Sequence, residues 1–365
     1  MKSLVEYASV VESRKPYIAV LFIQFVYAGM ALLSKAATAR GMNPFVFVVY
    51  RQAFASVALA PFAIFLESKK APPLSNGLLC KIFLVSFCGL TLSLNLYYSA
   101  INYTTATFAA ATTNTIPAIT FIMAAALRME TVSIKHVPGI AKLMGSATAV
   151  SGALVFALVK GPPLKYMNWN QATPNDHIQD SSIKGCCSSG EWIKGSLLMI
   201  SANILWSLWF VLQGPIVKQY PAKLRLTALQ CFFSCIQSAC WAVGVERNPS
   251  GWKLGWDVQL LAVAYCGITV NGISYWLQVW TIQKKGPVFA SMFTPLALII
   301  TAIFSVFLWK ETLHLGSVGG AILLVGGLYG VLWGKNKEEG KSVTNEHNAE
   351  AKAEIKLECI THQER

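Results

Sequence analysis

Ten times along its 365 residues this chain runs for about 20 residues with almost no charge, and that pattern limits it to very few folds. The runs fall at about 17–38, 45–66, 78–101, 106–127 and 137–159, then 193–213, 226–245, 258–282, 288–309 and 315–333. A helix needs about 20 apolar residues to cross a hydrocarbon core of about 30 Å. Only helices and closed barrels satisfy their own backbone in lipid, and these runs are too long for barrel strands. Charged residues make up only 13% of the chain, against about 25% in an ordinary soluble domain. The expected fold is an all-α membrane protein of ten transmembrane helices whose surroundings are the lipid bilayer.

The placement of charge predicts the topology. With the N-terminus in the cytosol, inside segments hold sixteen Lys and Arg near the membrane and outside segments nine. Both termini are therefore expected in the cytosol. The net charge of +13 follows from these span-end residues and not from a basic patch, so no nucleic-acid partner is expected. The segment 160–192, with Gly161-Pro162-Pro163 and a polar stretch lacking any apolar period, reads as a flexible extracytosolic linker. It divides a five-helix unit over 17–159 from a second over 193–334. Residues 1–16 form a cytosolic N-terminus, and 335–365 read as a disordered cytosolic tail, charged and free of aromatics.

An internal repeat supports that division. An offset of 181 residues carries Phe108-Ala109 onto Phe289-Ala290, Glu130 onto Glu311, and Gly139 and Gly145 onto Gly320 and Gly326. Pro117 and Pro295 miss that register by three residues. Five spans is an odd number, so the second copy must enter from the opposite side. The expectation is an inverted repeat with its solute site between the copies near the midplane, working by alternating access.

Polar side chains inside lipid need a partner or a water-filled cavity. Thr91, Asn95, Tyr98 and Asn102 form one helical stripe, and Asn271, Tyr275 and Gln278 form another. Asn203, Trp206, Phe210 and Gln213 share a face; Thr113 and Asn114 add to the fourth span, Gln24 and Tyr27 to the first. Together these predict a neutral, aromatic, amide-lined cavity for a small polar or zwitterionic solute. Taken singly, each polar residue fits an interhelical hydrogen bond equally well. Pro117 and Pro295 each remove a backbone donor and are either hinges or static kinks. Arg51, one to two turns inside its span, can attract a carboxylate, snorkel to the interface or pair with a helix end. The glycine-rich last span reads as a packing face or a dimer seam.

All seventeen acidic residues lie in loops, tails or at span ends, so no mid-membrane carboxylate is in place to couple transport to protons. The five histidines lie in loops or tail, and no Cys/His spacing suggests a metal site. No phosphate-binding loop and no nucleophile–base cluster is present. The chain is accordingly expected to be no enzyme, with no cofactor and no metal.

Three segments carry a family resemblance: SAINYTTATFAAATTNTIPAITFIMAAALRMETV at 99–132, FTPLALIITAIFSVFLWKETLHLGSVGGAILLVGGLYGVLWGK at 293–335, and VVYRQAF opening the second span. The chain resembles the plant nodulin-like drug/metabolite transporters with paired EamA domains, the group related to the "walls are thin" protein. That resemblance implies ten helices with both termini cytosolic and a bidirectional carrier of amino acids in the plasma membrane. Some relatives move auxin instead, which implies an indole-acid anion as the alternative solute, with a vacuolar address possible. It also implies a cavity lined by spans 1, 3, 4, 6, 8 and 9. Oligomeric state is open.

Overall fold

The computed structural model describes residues 2–67, 72–101, 103–104, 106–130, 136–159, 189–309, 315–316 and 318–337. Of the expected linker 160–192, residues 160–188 lie outside the described residues, while 189–192 open a helix. Of the expected tail 335–365, residues 335–337 continue the last helix; the rest, with Asn102 and the Lys310-Glu311 pair, lies outside the described residues. Among the described residues every long element is a helix: α1 (Lys2–Ala39), α2 (Pro44–Glu67), α3 (Asn76–Ile101), α4 (Ala106–Thr113), α5 (Ile116–Ala126) and α6 (Val137–Leu158) in the first half. The second half contributes α7 (Ser189–Gln219), α8 (Lys223–Val245), α9 (Val258–Lys285), α10 (Pro287–Met292), α11 (Thr294–Trp309) and α12 (Val318–Lys337).

Nine of the described helical stretches are long and apolar enough to cross a membrane. The exception falls at the run 106–127, which is not one helix: it breaks at Asn114-Thr115 into α4 and the short apolar α5. The cause is Pro117, which has no N–H to give an upstream carbonyl and disfavours helical geometry before it. The chain closes the break with a tight turn in which Thr115 donates from N and Oγ1 to the Thr112 carbonyl (3.0 and 2.6 Å). The second half repeats the device at Phe293, between α10 and α11, and Pro295 stands two residues on. Each proline is thus the second residue of a restarted helix.

The halves share a second irregularity. Within α3, Ser86–Leu92 widens into a π-helical segment, and within α9, Tyr265–Ser274 does the same. Cys88-Gly89-Leu90-Thr91 and Cys266-Gly267-Ile268-Thr269 fall inside these segments at an offset of 178, the offset that also relates Pro117 to Pro295. The three-residue slip arises because α4 and its break are three residues longer than α10 and Phe293.

Pairing follows the same logic. α2 packs on α8; α3 and α5 pack on α7, while α9 and α11 pack on α1. α6 meets α12 through glycines: a side chain on Gly145 would strike the Gly327 carbonyl (2.7 Å), and one on Gly152 the Leu324 nitrogen (2.6 Å). The glycine-rich last span is therefore an internal packing face along Gly320, Gly327 and Gly334, while Gly319 and Gly326 face open space.

The two ends of the bundle are tied differently. At one end the α1–α2 and α8–α9 turns meet through Arg40–Asp257 (3.2 Å) and Asn43 donating to Glu246 (2.5 Å). At the other, Tyr17 donates to Asn336 Oδ1 (3.0 Å), so both terminal segments lie there. An apolar cluster of Val20, Phe121, Val211, Phe289, Phe293 and Val331 fills this second end. Beside it Glu130 binds Lys335 (2.6 Å) and the buried Lys142 (3.4 Å). Gly286 turns the chain from α9 into α10 against this cluster at φ 87°, a left-handed value that glycine alone adopts without strain.

Candidate functional site

Between α1, α2, α3, α7, α9 and α11 the packing leaves a cavity of about 320 Å³, closed on a further side by the α4–α5 break. That is at the small end for a ligand pocket. Arg51 enters it from α2, seven residues past Pro44 and so about 10 Å along the helix. Its side chain is 2% exposed. One guanidinium nitrogen, Nη2, donates to Asn271 Oδ1 (2.9 Å) and Tyr275 OH (3.4 Å), and the Phe47 ring lies 6.0 Å from the guanidinium carbon. Nε has no partner. Among the described residues no carboxylate lines the cavity. A guanidinium is never neutral in a protein, so this is a full buried charge held by neutral dipoles.

Aromatic rings form much of the remaining lining. Trp206 stacks on Trp209 (5.5 Å, 24°) and lies 5.9 Å from Tyr275, while Tyr97 and Tyr98 meet edge to face (5.6 Å). Asn203 adds an amide nitrogen, Nδ2, without a partner, and outside the lining Gln278 Nε2 donates to Tyr27 OH (2.7 Å). The site therefore presents a cation, an amide donor and aromatic faces. This set can hold a carboxylate at one end and a flat or cationic group at the other.

Of the residues singled out from the sequence, Tyr27, Arg51, Tyr98, Thr113, Asn114, Asn203, Trp206 and Tyr275 line this cavity. Gln278 sits behind Tyr27. Four others do not line it. Gln213 exchanges amide hydrogen bonds with Gln230 of α8 (3.1 and 3.3 Å), a closed helix-to-helix pair. Gln24 donates to its own helix at Val20, and Phe210 is buried against Trp206 and Trp209. Asn95 donates to the Thr91 carbonyl (2.7 Å). That last shift comes from the π segment, whose wider turn rotates everything after it. Thr91 faces α8, bonding Ser234 and Gln237, and the cavity face of α3 becomes Ser93, Leu94, Tyr97 and Tyr98. Pro117 and Pro295 are both buried at the restarts of their broken helices.

Sequence reasoning passed over Thr294, Ala297, Leu298 and Thr301, which line the cavity from α11 at i, i+3, i+4 and i+7. Their helical spacing was a usable signal, hidden by low polarity. Met30 and Ala31, one turn beyond Tyr27, were hidden the same way. Among the described residues no cluster of His, Cys, Asp or Glu could hold a metal ion.

The profile of the EamA-like transporter family matches twice, over residues 14–152 and 193–333. One WAT1-related protein of Arabidopsis thaliana is 60% identical over 89% of this chain and 92% of its own length. A second WAT1-related protein of that plant is 50% identical over 91% and 93%. A solved crystal structure superimposes with a TM-score of 0.66 at 16% identity, covering 89% of this chain and 98% of that one, a likeness of fold alone. With two family matches and nine described helices long and apolar enough to cross a membrane, the chain belongs to the EamA-like transporter family, among its WAT1-related members.

Proposed function

We propose that this transporter is a bidirectional, proton-independent facilitator of amino acids, working by alternating access in the plasma membrane. It has ten transmembrane helices in two inverted five-helix repeats, 17–159 and 193–334, joined by an outside linker, with both termini cytosolic. The broken fourth span of each copy counts as one crossing. The inverted arrangement is supported by the shared π segments, the shared breaks and a pairing pattern that survives exchange of the halves. Proton independence is supported by a cavity lining without a carboxylate.

The observation that carries the solute class is Arg51, a buried cation in the cavity whose partners are all neutral. It favours a solute bearing a carboxylate. An amino acid would place its carboxylate there and its ammonium over the rings of Trp206 or Tyr97. The stacked Trp206–Trp209 pair favours a second reading, an indole-acid anion, on the plasma membrane or the vacuole. Efflux from oocytes loaded with labelled glutamine or labelled indole-3-acetic acid, at acidic and at neutral outside pH, separates them. Glutamine leaving equally at both pH values is the expected result; glutamine retained while the indole acid leaves would overturn the amino-acid assignment.

A further inference from the structure

A second, wider recess of about 590 Å³ lies at the end of the bundle where the terminal segments meet. Its lining is Arg14, Tyr17, Ile18, Lys285 and Asn336. Three of these mark the limits of membrane-spanning stretches: Arg14 opens the first, Lys285 closes the one in α9, and Asn336 is next to last in α12. The recess therefore sits at headgroup depth. By the positive-inside count it faces the cytosolic leaflet, where anionic lipids gather.

Its walls are fixed and its chemistry is one-sided. Tyr17 is held twice, through its OH to Asn336 (3.0 Å) and by its ring edge-to-face on Phe289 (5.0 Å). Ile18, 65% exposed, turns the adjoining side toward the hydrocarbon. Among the described residues the two charged groups of the lining, Arg14 and Lys285, are both cations, and none of the lining is a carboxylate. An anion with an apolar tail meets a cation pair, a phenol and an amide at one level and a greasy slope at the next.

We infer that this recess is a binding site for the phosphate headgroup of an anionic membrane lipid. The site joins α1 of the first half to α9 and α12 of the second, next to the apolar cluster that packs this end shut. A bound lipid would thus favour the closed arrangement of that end. This goes beyond the solute assignment and does not depend on it.

The test uses the full-length protein in detergent, titrated with phosphatidylglycerol, phosphatidylcholine or inorganic phosphate, with bound lipid counted by native mass spectrometry. Phosphatidylglycerol should bind more tightly than phosphatidylcholine. Each basic residue near a membrane surface is worth about fivefold, so Arg14→Gln with Lys285→Gln should weaken phosphatidylglycerol about 25-fold and leave phosphatidylcholine unchanged. Arg14 is exposed, so if the double variant fails to fold, Arg14→Gln alone should still show a loss of about fivefold. Equal binding of the two lipids, or binding undiminished by these substitutions, would overturn the site. Inorganic phosphate raising the melting temperature as much as phosphatidylglycerol would overturn the lipid assignment in favour of a soluble anion.

Discussion

Among the described residues two cations are buried, and they are treated in opposite ways. Lys142, 1% exposed, shares the carboxylate of Glu130 with Lys335 at the packed end. Arg51, 2% exposed, borders the cavity and is held there by an amide, a phenol and a ring. Burying a charge is expensive unless it is paired, and the resting protein has satisfied one of the two. The first cation belongs to the architecture. The second is held by neutral groups alone at the cavity wall, which is why the proposed function seats the solute's carboxylate there.

The contrast can be broken from either side. The largest effect is expected at Glu130: Glu130→Gln leaves Lys142 without its carboxylate and should cost about 3–5 kcal/mol of stability, seen as a drop in melting temperature. Pairing it with Lys142→Met should recover most of that loss. Arg51→Gln should behave differently, leaving the melting temperature near its original value. Its carboxylate-solute transport should fall about 10- to 100-fold at unchanged surface level, the range for a charge-assisted hydrogen bond.

Gly267→Ala probes the support of the cation. Its added methyl would press on Phe54 and stand 2.8 Å from the Arg51 carbonyl oxygen, so it should cost about 1–3 kcal/mol, read by thermal denaturation. Trp206→Leu should raise KM for an indole acid by about 3- to 10-fold and for a small aliphatic amino acid by less, since it removes ring stacking alone. The smallest effect is expected at the pair on the packed side. Gln213→Leu with Gln230→Leu removes both partners together and should leave transport nearly unchanged, while either alone should destabilise by about 1–3 kcal/mol.

The sequence spoke most clearly where lipid enforces a rule. Apolar run length located nearly every span, and Arg51 was identified because a charge inside such a run is costly wherever it points. Helical faces were harder to read. The stripe Thr91–Asn95–Tyr98 assumed an unbroken period of 3.6, and the π segment over Ser86–Leu92 broke it, sending Thr91 to α8 and Tyr97 to the cavity. Widened turns leave little trace in composition, so only a comparison of the halves, where Cys-Gly-x-Thr recurs in α9, offered a hint. Gln213 was placed in the cavity because an amide in lipid must bond something; its partner, Gln230, lies on another helix and only packing reveals it. Thr294 and Thr301 failed as signals for the opposite reason, being nearly as apolar as their neighbours.

The most direct test of the account is a paired uptake experiment in proteoliposomes, comparing labelled glutamine with the same amino acid amidated at its α-carboxylate. It is run on the original protein and on Arg51→Gln at matched reconstitution. If Arg51 recruits the solute's carboxylate, the original protein carries glutamine at least about tenfold better than the amide, and the substitution abolishes that preference. If the amide is carried as well as the acid, or the preference survives without Arg51, the unbalanced cation is not what selects the solute and the central claim fails.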